Sequence, residues 1–295
     1  MVAIISHDAG GAEILSSWLK QNKVNYCLSI DGPAINIFKN KGIEVKNISL
    51  EDAINQATWV LCGTSWMSNI ENKAIVLSRK YNKKVIVFLD HWINYIERFE
   101  FNKTYVFPNE IWVGDEYAFH MASNLFLNKC KVILKNNPYF DEIKDLYKSI
   151  QYKDDNRKSI LYVCEPIKKH ALMKYGDQLY WGYHEDLAIE YFFSNLSKFK
   201  LDNYEIIIRP HPSEEQYTYQ WVINKYPEYT IMIGGQNSLV QEIINSRIVV
   251  GCSSMAMVIA LQLRKKVYST IPPGRGICTL PFKEIKLLRN LNEVI

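Results

Sequence analysis

Short, unbroken runs of β-branched and aliphatic residues alternate with longer amphipathic segments along this 295-residue chain. A strand buried on both faces reads as a continuous hydrophobic run, and such strands need parallel neighbours joined through helices. The first half predicts strands at Val2–Ser6, Val24–Ser29, Trp59–Cys62, Lys84–Leu89, Glu110–Val113 and Lys131–Ile133. Helices are expected between them, notably over Gly11–Asn22, Ser68–Tyr81 and Glu116–Phe126. A polar run without apolar period, Tyr152–Lys158, marks a boundary between domains 1–152 and 153–295. Beyond it, strands are predicted at Ser159–Val163, Tyr204–Ile208, Thr230–Ile233, Ile248–Val250 and Lys266–Tyr268. Helices are predicted at Asp186–Lys198, Glu215–Tyr226, Leu239–Asn245 and Met255–Leu263. The expected class is therefore α/β, with two Rossmann-like domains facing across a cleft. In such sheets ligands lie beyond the carboxyl ends of the strands.

Composition narrows the function. A net charge of +4 is mildly basic, far from the dense basic face of a nucleic-acid binder. It suits anionic substrates, or a loose contact with anionic lipid. The six cysteines, Cys27, Cys62, Cys130, Cys164, Cys252 and Cys278, form no C-x-x-C pair. Reduced thiols in a reducing compartment are the expectation. The N-terminus lacks the pattern of a signal peptide, and no apolar run approaches a membrane span. A cytoplasmic location follows as the expectation, with any membrane contact peripheral at the inner face.

The residues that follow strands are the informative ones. After the run YEIII comes Arg209-Pro210-His211-Pro212. Arg209 offers a guanidinium fork, His211 a hydrogen bond or a proton, and the prolines stiffen the loop. After RIVV comes Gly251-Cys252-Ser253-Ser254, leading into a helix. Amides and hydroxyls at a helix N-terminus form an anion site, although paired serines there also serve simply as an N-cap. Glu165, which ends the first strand of the second domain, is a candidate for the nucleotide's ribose or base.

In the first domain the strand Val2–Ser6 runs into His7-Asp8-Ala9-Gly10-Gly11. His7 and Asp8 are expected to face the cleft, with the glycines allowing close approach of a ligand. Asp8 as a helix cap is the competing reading. After VIVFL come Asp90, His91, Trp92, Tyr95 and Arg98. They read as an acid–base pair, two rings for a sugar face and a cation for a carboxylate. Gly63-Thr64-Ser65-Trp66 reads as a helix cap, and His170 and His184 as solvated or packed residues. Asn136-Asn137-Pro138-Tyr139-Phe140-Asp141 is expected to shape the hinge. The acidic residues form no D-x-D motif, so no metal is expected.

The pair RPHP and GCSS resembles the His-Pro and Ser-Ser motifs of GT-B bacterial sialyltransferases and related capsule transferases, over Tyr204–Pro273. The segment NNPYFD resembles the G-N-P-x-x-D stretch of GT-B epimerases and glycerophosphotransferases. The first resemblance implies that His211, Ser253 and Ser254 bind the phosphate of a CMP-sugar. It also implies an acidic base near Leu89-Asp90-His91. Asp90 is placed for that role, with Asp8 the rival, and the family's second acid and glycine are absent. The expected reaction is metal-independent transfer of a sialic, legionaminic or pseudaminic acid from its CMP donor to a glycan or glycoprotein hydroxyl. The alternatives are another GT-B chemistry (a UDP-sugar 2-epimerase or hydrolase, or a CDP-glycerol-type phosphotransferase) and a non-catalytic nucleotide- or glycan-binding partner in surface-glycan assembly.

Overall fold

The computed structural model describes residues 1–149, 159–200 and 204–292. The boundary segment expected at Tyr152–Lys158 lies outside the described residues. The chain divides into two compact units, Met1–Glu142 and Ile143–Ile295.

The first unit contains β1 (Val2–Ser6), α1 (Ala9–Gln21), β2 (Tyr26–Ile30), α2 (Pro33–Asn40), α3 (Leu50–Gln56), β3 (Trp59–Cys62), α4 (Ile70–Lys80) and β4 (Lys84–Leu89). A small antiparallel hairpin follows, β5 (Glu100–Phe101) and β6 (Thr104–Tyr105). The unit continues through β7 (Glu110–Val113), α5 (Glu116–Leu125) and β8 (Lys131–Leu134), and α6 (Pro138–Ser149) crosses into the second unit. The sheet order is β2-β1-β3-β4-β7-β8, parallel at every pairing. The order reverses between β1 and β3, so the residues after these two strands border the topological switch point.

The second unit repeats the scheme with β9 (Ser159–Val163), α7 (Ile167–Tyr175), α8 (Glu185–Ser194), β10 (Glu205–Arg209), α9 (Gln220–Lys225), β11 (Thr230–Ile233), α10 (Leu239–Asn245), β12 (Ile248–Gly251), α11 (Met255–Gln262), β13 (Lys266–Ser269) and β14 (Ile285–Leu287). Its order is β11-β10-β9-β12-β13-β14, again all parallel, with the switch between β9 and β12. The fold class is the expected α/β, GT-B-like succession of two Rossmann-like sheets.

Burial explains which strands were legible. Every residue of β1 and β9 is buried, as a central parallel strand requires. The strand expected at Val24–Ser29 is observed as Tyr26–Ile30, at the sheet edge, with Val24 and Tyr26 exposed. The predicted helix over Glu215–Tyr226 divides into a 3-10 turn at Gln216–Tyr219 and α9. Tyr219 is fully buried and donates its hydroxyl to Glu214, which draws the turn tight. The predicted helix Asp186–Lys198 likewise ends at Ser194 and resumes as a 3-10 turn at Leu196–Phe199. In the first unit, Asn137 accepts the Tyr139 and Phe140 amides and so caps α6.

Candidate functional site

In the first unit the loops after β1, β3 and β4 are tied together by side chains. The Asp8 carboxylate occupies the N-cap position of α1 but makes no cap bond. Instead it accepts from the Ser65 hydroxyl (2.7 Å), the Trp66 amide (2.8 Å) and His7 Nδ1 (2.7 Å). Gly63–Trp66 is thus a strut to Asp8, whereas the sequence suggested a helix cap. Thr64 completes the strut on the other side, donating to Asp90 Oδ1 at 2.9 Å.

Asp90 follows the central strand β4. Its Oδ1 takes Thr64 and the Arg98 guanidinium, the latter at 3.3 Å. Arg98 also donates to Thr64 at 2.6 Å and is buried. Its charge is therefore spent on Asp90, which corrects the expectation that it holds a sugar carboxylate. Asp90 Oδ2 faces the first turn of α1 at Gly10, where a Cβ would stand 2.1 Å away. Gly10 is thus needed for the approach of Asp90, and Gly11 for that of Gly63, with a Cβ-to-Cα distance of 3.1 Å. Neither glycine leaves backbone open to a ligand in the manner predicted.

The rings after Asp90 also depart from the prediction. Trp92 and Tyr95 are only 4% and 2% exposed. Trp92 donates to Asp115, and Tyr95 stacks on Phe126. They form the wall behind Asp90, not a face open to a sugar. His91 Nδ1 accepts the Trp92 amide at 3.0 Å, which places the ring proton on Nε2. Burial and the Arg98 charge hold the ring well below its ordinary pKa, so it stays neutral.

Sequence reasoning missed Glu71 on α4. It is 4% exposed, and its Oε1 accepts the His7 amide at 2.8 Å. Its Oε2 is buried without a hydrogen-bond partner. Burial pushes its pKa up to about 8, with the Asp8 and Asp90 charges adding to the rise. A protonated carboxyl thus stands behind Asp8 and Asp90, a like-charge arrangement that separates acid from base. A signal was available, since Glu71, Ala74, Ile75 and Ser78 share one helical stripe and all are buried.

In the second unit the phosphate grip is internally compensated. Arg209 pairs with Glu242 of α10 at 2.6 Å and donates to the Asn237 carbonyl. The cation expected to face a phosphate thus has a carboxylate partner within its own unit. The Ser253 amide donates to Glu165 Oε1 at 2.6 Å. Glu165 therefore occupies the N-terminus of α11 itself, where the sequence placed a phosphate, instead of reaching toward a ribose or base. Burial lifts its pKa to about 7 against the backbone hydrogen bonds of Ser253, Cys252 and Ser254. Ser254 caps α11 through the Ala256 amide, and Ser253 Oγ accepts the Thr279 amide. Gly251 ends β12 within the sheet, where a Cβ would meet Val163 at 2.8 Å. Pro212 is exposed.

His211 Nδ1 accepts the Ser213 amide and contacts the Ser213 hydroxyl at 2.8 Å, so its proton lies on Nε2. Burial, with help from His170 and Lys169, lowers its pKa to about 4. Without a bound anion His211 is therefore a neutral hydrogen-bond donor near neutral pH. A common device links the two units. Glu71, Glu165, Glu214 and Glu242 each accept a backbone amide just beyond a strand, at His7, Ser253, His211 and Gly235, and Glu185 accepts that of Lys168 in the first turn of α7. These are the amides that open α/β sheets offer to phosphates.

No family model matches the chain, and no curated protein matches it. Solved structures do. UDP-GlcNAc 2-epimerase from Neisseria meningitidis, bound to UDP-GlcNAc, is similar at a TM-score of 0.60 with 13% identity, over 91% of this chain and 82% of that one. The Methanocaldococcus jannaschii enzyme gives 0.58 and 12%, over 91% and 83%. UDP-N-acetylglucosamine 2-epimerase from Rickettsia bellii gives 0.59 and 12%, over 90% and 78%. At such identity the likeness is one of fold.

Proposed function

We propose that the protein is a nucleotide-sugar enzyme of the UDP-sugar epimerase or hydrolase kind. The observation that carries this reading is the carboxyl set of the first unit. Asp90 has one oxygen, Oδ2, left by Thr64 and Arg98, and a protonated Glu71 lies behind it. Asp90 is assigned as general base, taking a proton from a sugar carbon or from an attacking water. Asp8 is assigned a positioning role, since its oxygens already accept three hydrogen bonds. The second unit holds the nucleotide, with the Nε2–H of His211 donating to the departing phosphate oxygen. Solved structures sharing this fold are UDP-GlcNAc 2-epimerases, which supports the choice of a uridine diphosphate donor.

The CMP-nonulosonate transferase reading rests on the RPHP and Ser-Ser resemblance. It needs a cation for the sugar carboxylate, a group that a UDP-GlcNAc donor lacks, and the arginine assigned to that task is paired with Asp90. One experiment separates the readings. Purified protein is incubated with UDP-GlcNAc or with a CMP-nonulosonate in D2O, following nucleotide release and deuterium at the sugar carbons. Release of UDP, or deuterium in the UDP-sugar, is expected. CMP release with inert UDP-GlcNAc would overturn the proposal.

A further inference from the structure

The second unit carries an eleven-residue exposed stretch, the last turn of α7 and the loop that follows it. Residues 172–182, LMKYGDQLYWG, are all exposed. Leu172 is 55% exposed and Met173 64%, with Tyr175, Leu179, Tyr180 and Trp181 between 36% and 47%. Large apolar side chains rarely gather on a surface without a partner. The cluster is nevertheless ordered by its own rings. Tyr175 and Tyr180 stack at 3.5 Å, and Trp181 meets both edge-on. Left-handed Gly176 ends α7 inside it and left-handed Gly182 closes it, and buried Tyr183 anchors its base against Gly276.

Charge selects the occupant. Lys168 is paired with Asp186 at 2.6 Å, which leaves Lys169 and Lys174 against the single acid Asp177 within 169–182. Exposed Arg275 packs beside Gly182. Aliphatic tips, phenol and indole rings with polar ends, and a basic rim match the interfacial layer of a bilayer containing anionic lipid. No helix among the described residues is long and apolar enough to cross a membrane, so the contact is peripheral.

We infer that the excursion 172–182 docks the enzyme on the surface of an anionic bilayer, through Leu172, Met173, Tyr180 and Trp181 with the rim cations Lys169, Lys174 and Arg275. The apolar part of this surface is independent of the donor assignment above, whereas the Lys169 charge also acts on His211. The test is sedimentation of the full chain with phosphatidylcholine vesicles carrying or lacking phosphatidylglycerol. Binding is expected to the anionic vesicles and to weaken with salt. The triple variant Leu172→Ser, Met173→Ser, Trp181→Ser should lose roughly tenfold or more of it. These side chains are exposed, so the melting temperature should hold, and nucleotide release should remain. A second variant, Lys169→Glu with Arg275→Glu, should abolish the preference for anionic vesicles. Absence of binding to any vesicle would overturn the inference. So would binding unchanged in both variants, or a wild-type dimer that the triple variant dissolves.

Discussion

Replacing Glu71 by glutamine should change how stability depends on pH, by an amount the structure sets. In the folded protein this carboxyl has a pKa raised by burial to about 8, against 4.5 for the ordinary group. Below pH 4.5 it is neutral in both states and costs nothing. As pH rises from 4.5 toward 8, the unfolded chain releases a proton that the folded protein keeps, and stability falls. The slope for one proton is about 1.4 kcal/mol per pH unit, so the loss saturates near roughly 5 kcal/mol above pH 8. Glutamine keeps a carbonyl for the His7 amide and cannot ionise. Its amide group falls where Oε2 now lies without a partner, a pH-independent cost of about 1–3 kcal/mol. The variant should therefore be the less stable protein at pH 5 and the more stable one at pH 9. Urea unfolding followed by tryptophan fluorescence, at steps from pH 5 to 9, measures the difference directly. Contributions shared by both proteins, including that of Glu165, cancel in the comparison. The variant's advantage should grow by about 1.4 kcal/mol per unit between pH 5.5 and 7.5. Parallel curves for the two proteins would refute the reasoning, because they would mean that Glu71 ionises normally in the fold.

Arg98→Leu strands Asp90 as a buried, uncompensated acid and should cost about 3 kcal/mol or more in chemical denaturation. Adding Asp90→Asn should recover part of that loss, and strict additivity would argue against the pair. Glu165→Ala frees the Ser253 amide, so UDP should bind several-fold tighter at pH 8 by calorimetry. Weaker binding would mean that Glu165 itself contacts the nucleotide. His211 lies near pH 4, so it should add no step to nucleotide affinity between pH 5.5 and 8. His211→Gln, which keeps an N–H donor, should retain more affinity than His211→Ala, and equal losses would contradict the donor role.

What the sequence made legible, and what it hid, divide along one physical line. The central strands β1, β4 and β9 were readable because burial on both faces forces a continuous apolar run. The short helices α2 and α3 and the hairpin β5–β6 were not, since so few residues carry too little period to detect. At the site, the positions of Asp8, Asp90, Glu165 and His211 were readable because polar residues directly after such strands stand out. The perturbed ionisation of Glu165 and His211 was not, because it follows from burial and from partners distant in the chain. Ser253 lies 88 residues from Glu165, and Glu242 lies far beyond Arg209 on another element. A sequence names the ionisable groups but not which of them cancel. Here the cancellations decide the chemistry. Arg98 and Arg209 look like ligand cations until their carboxylates are seen, and Glu165 looks like a nucleotide contact until it is found on the α11 amides. Glu71, which drew no notice in the sequence, becomes a carboxyl of the first unit whose neutral state burial favours.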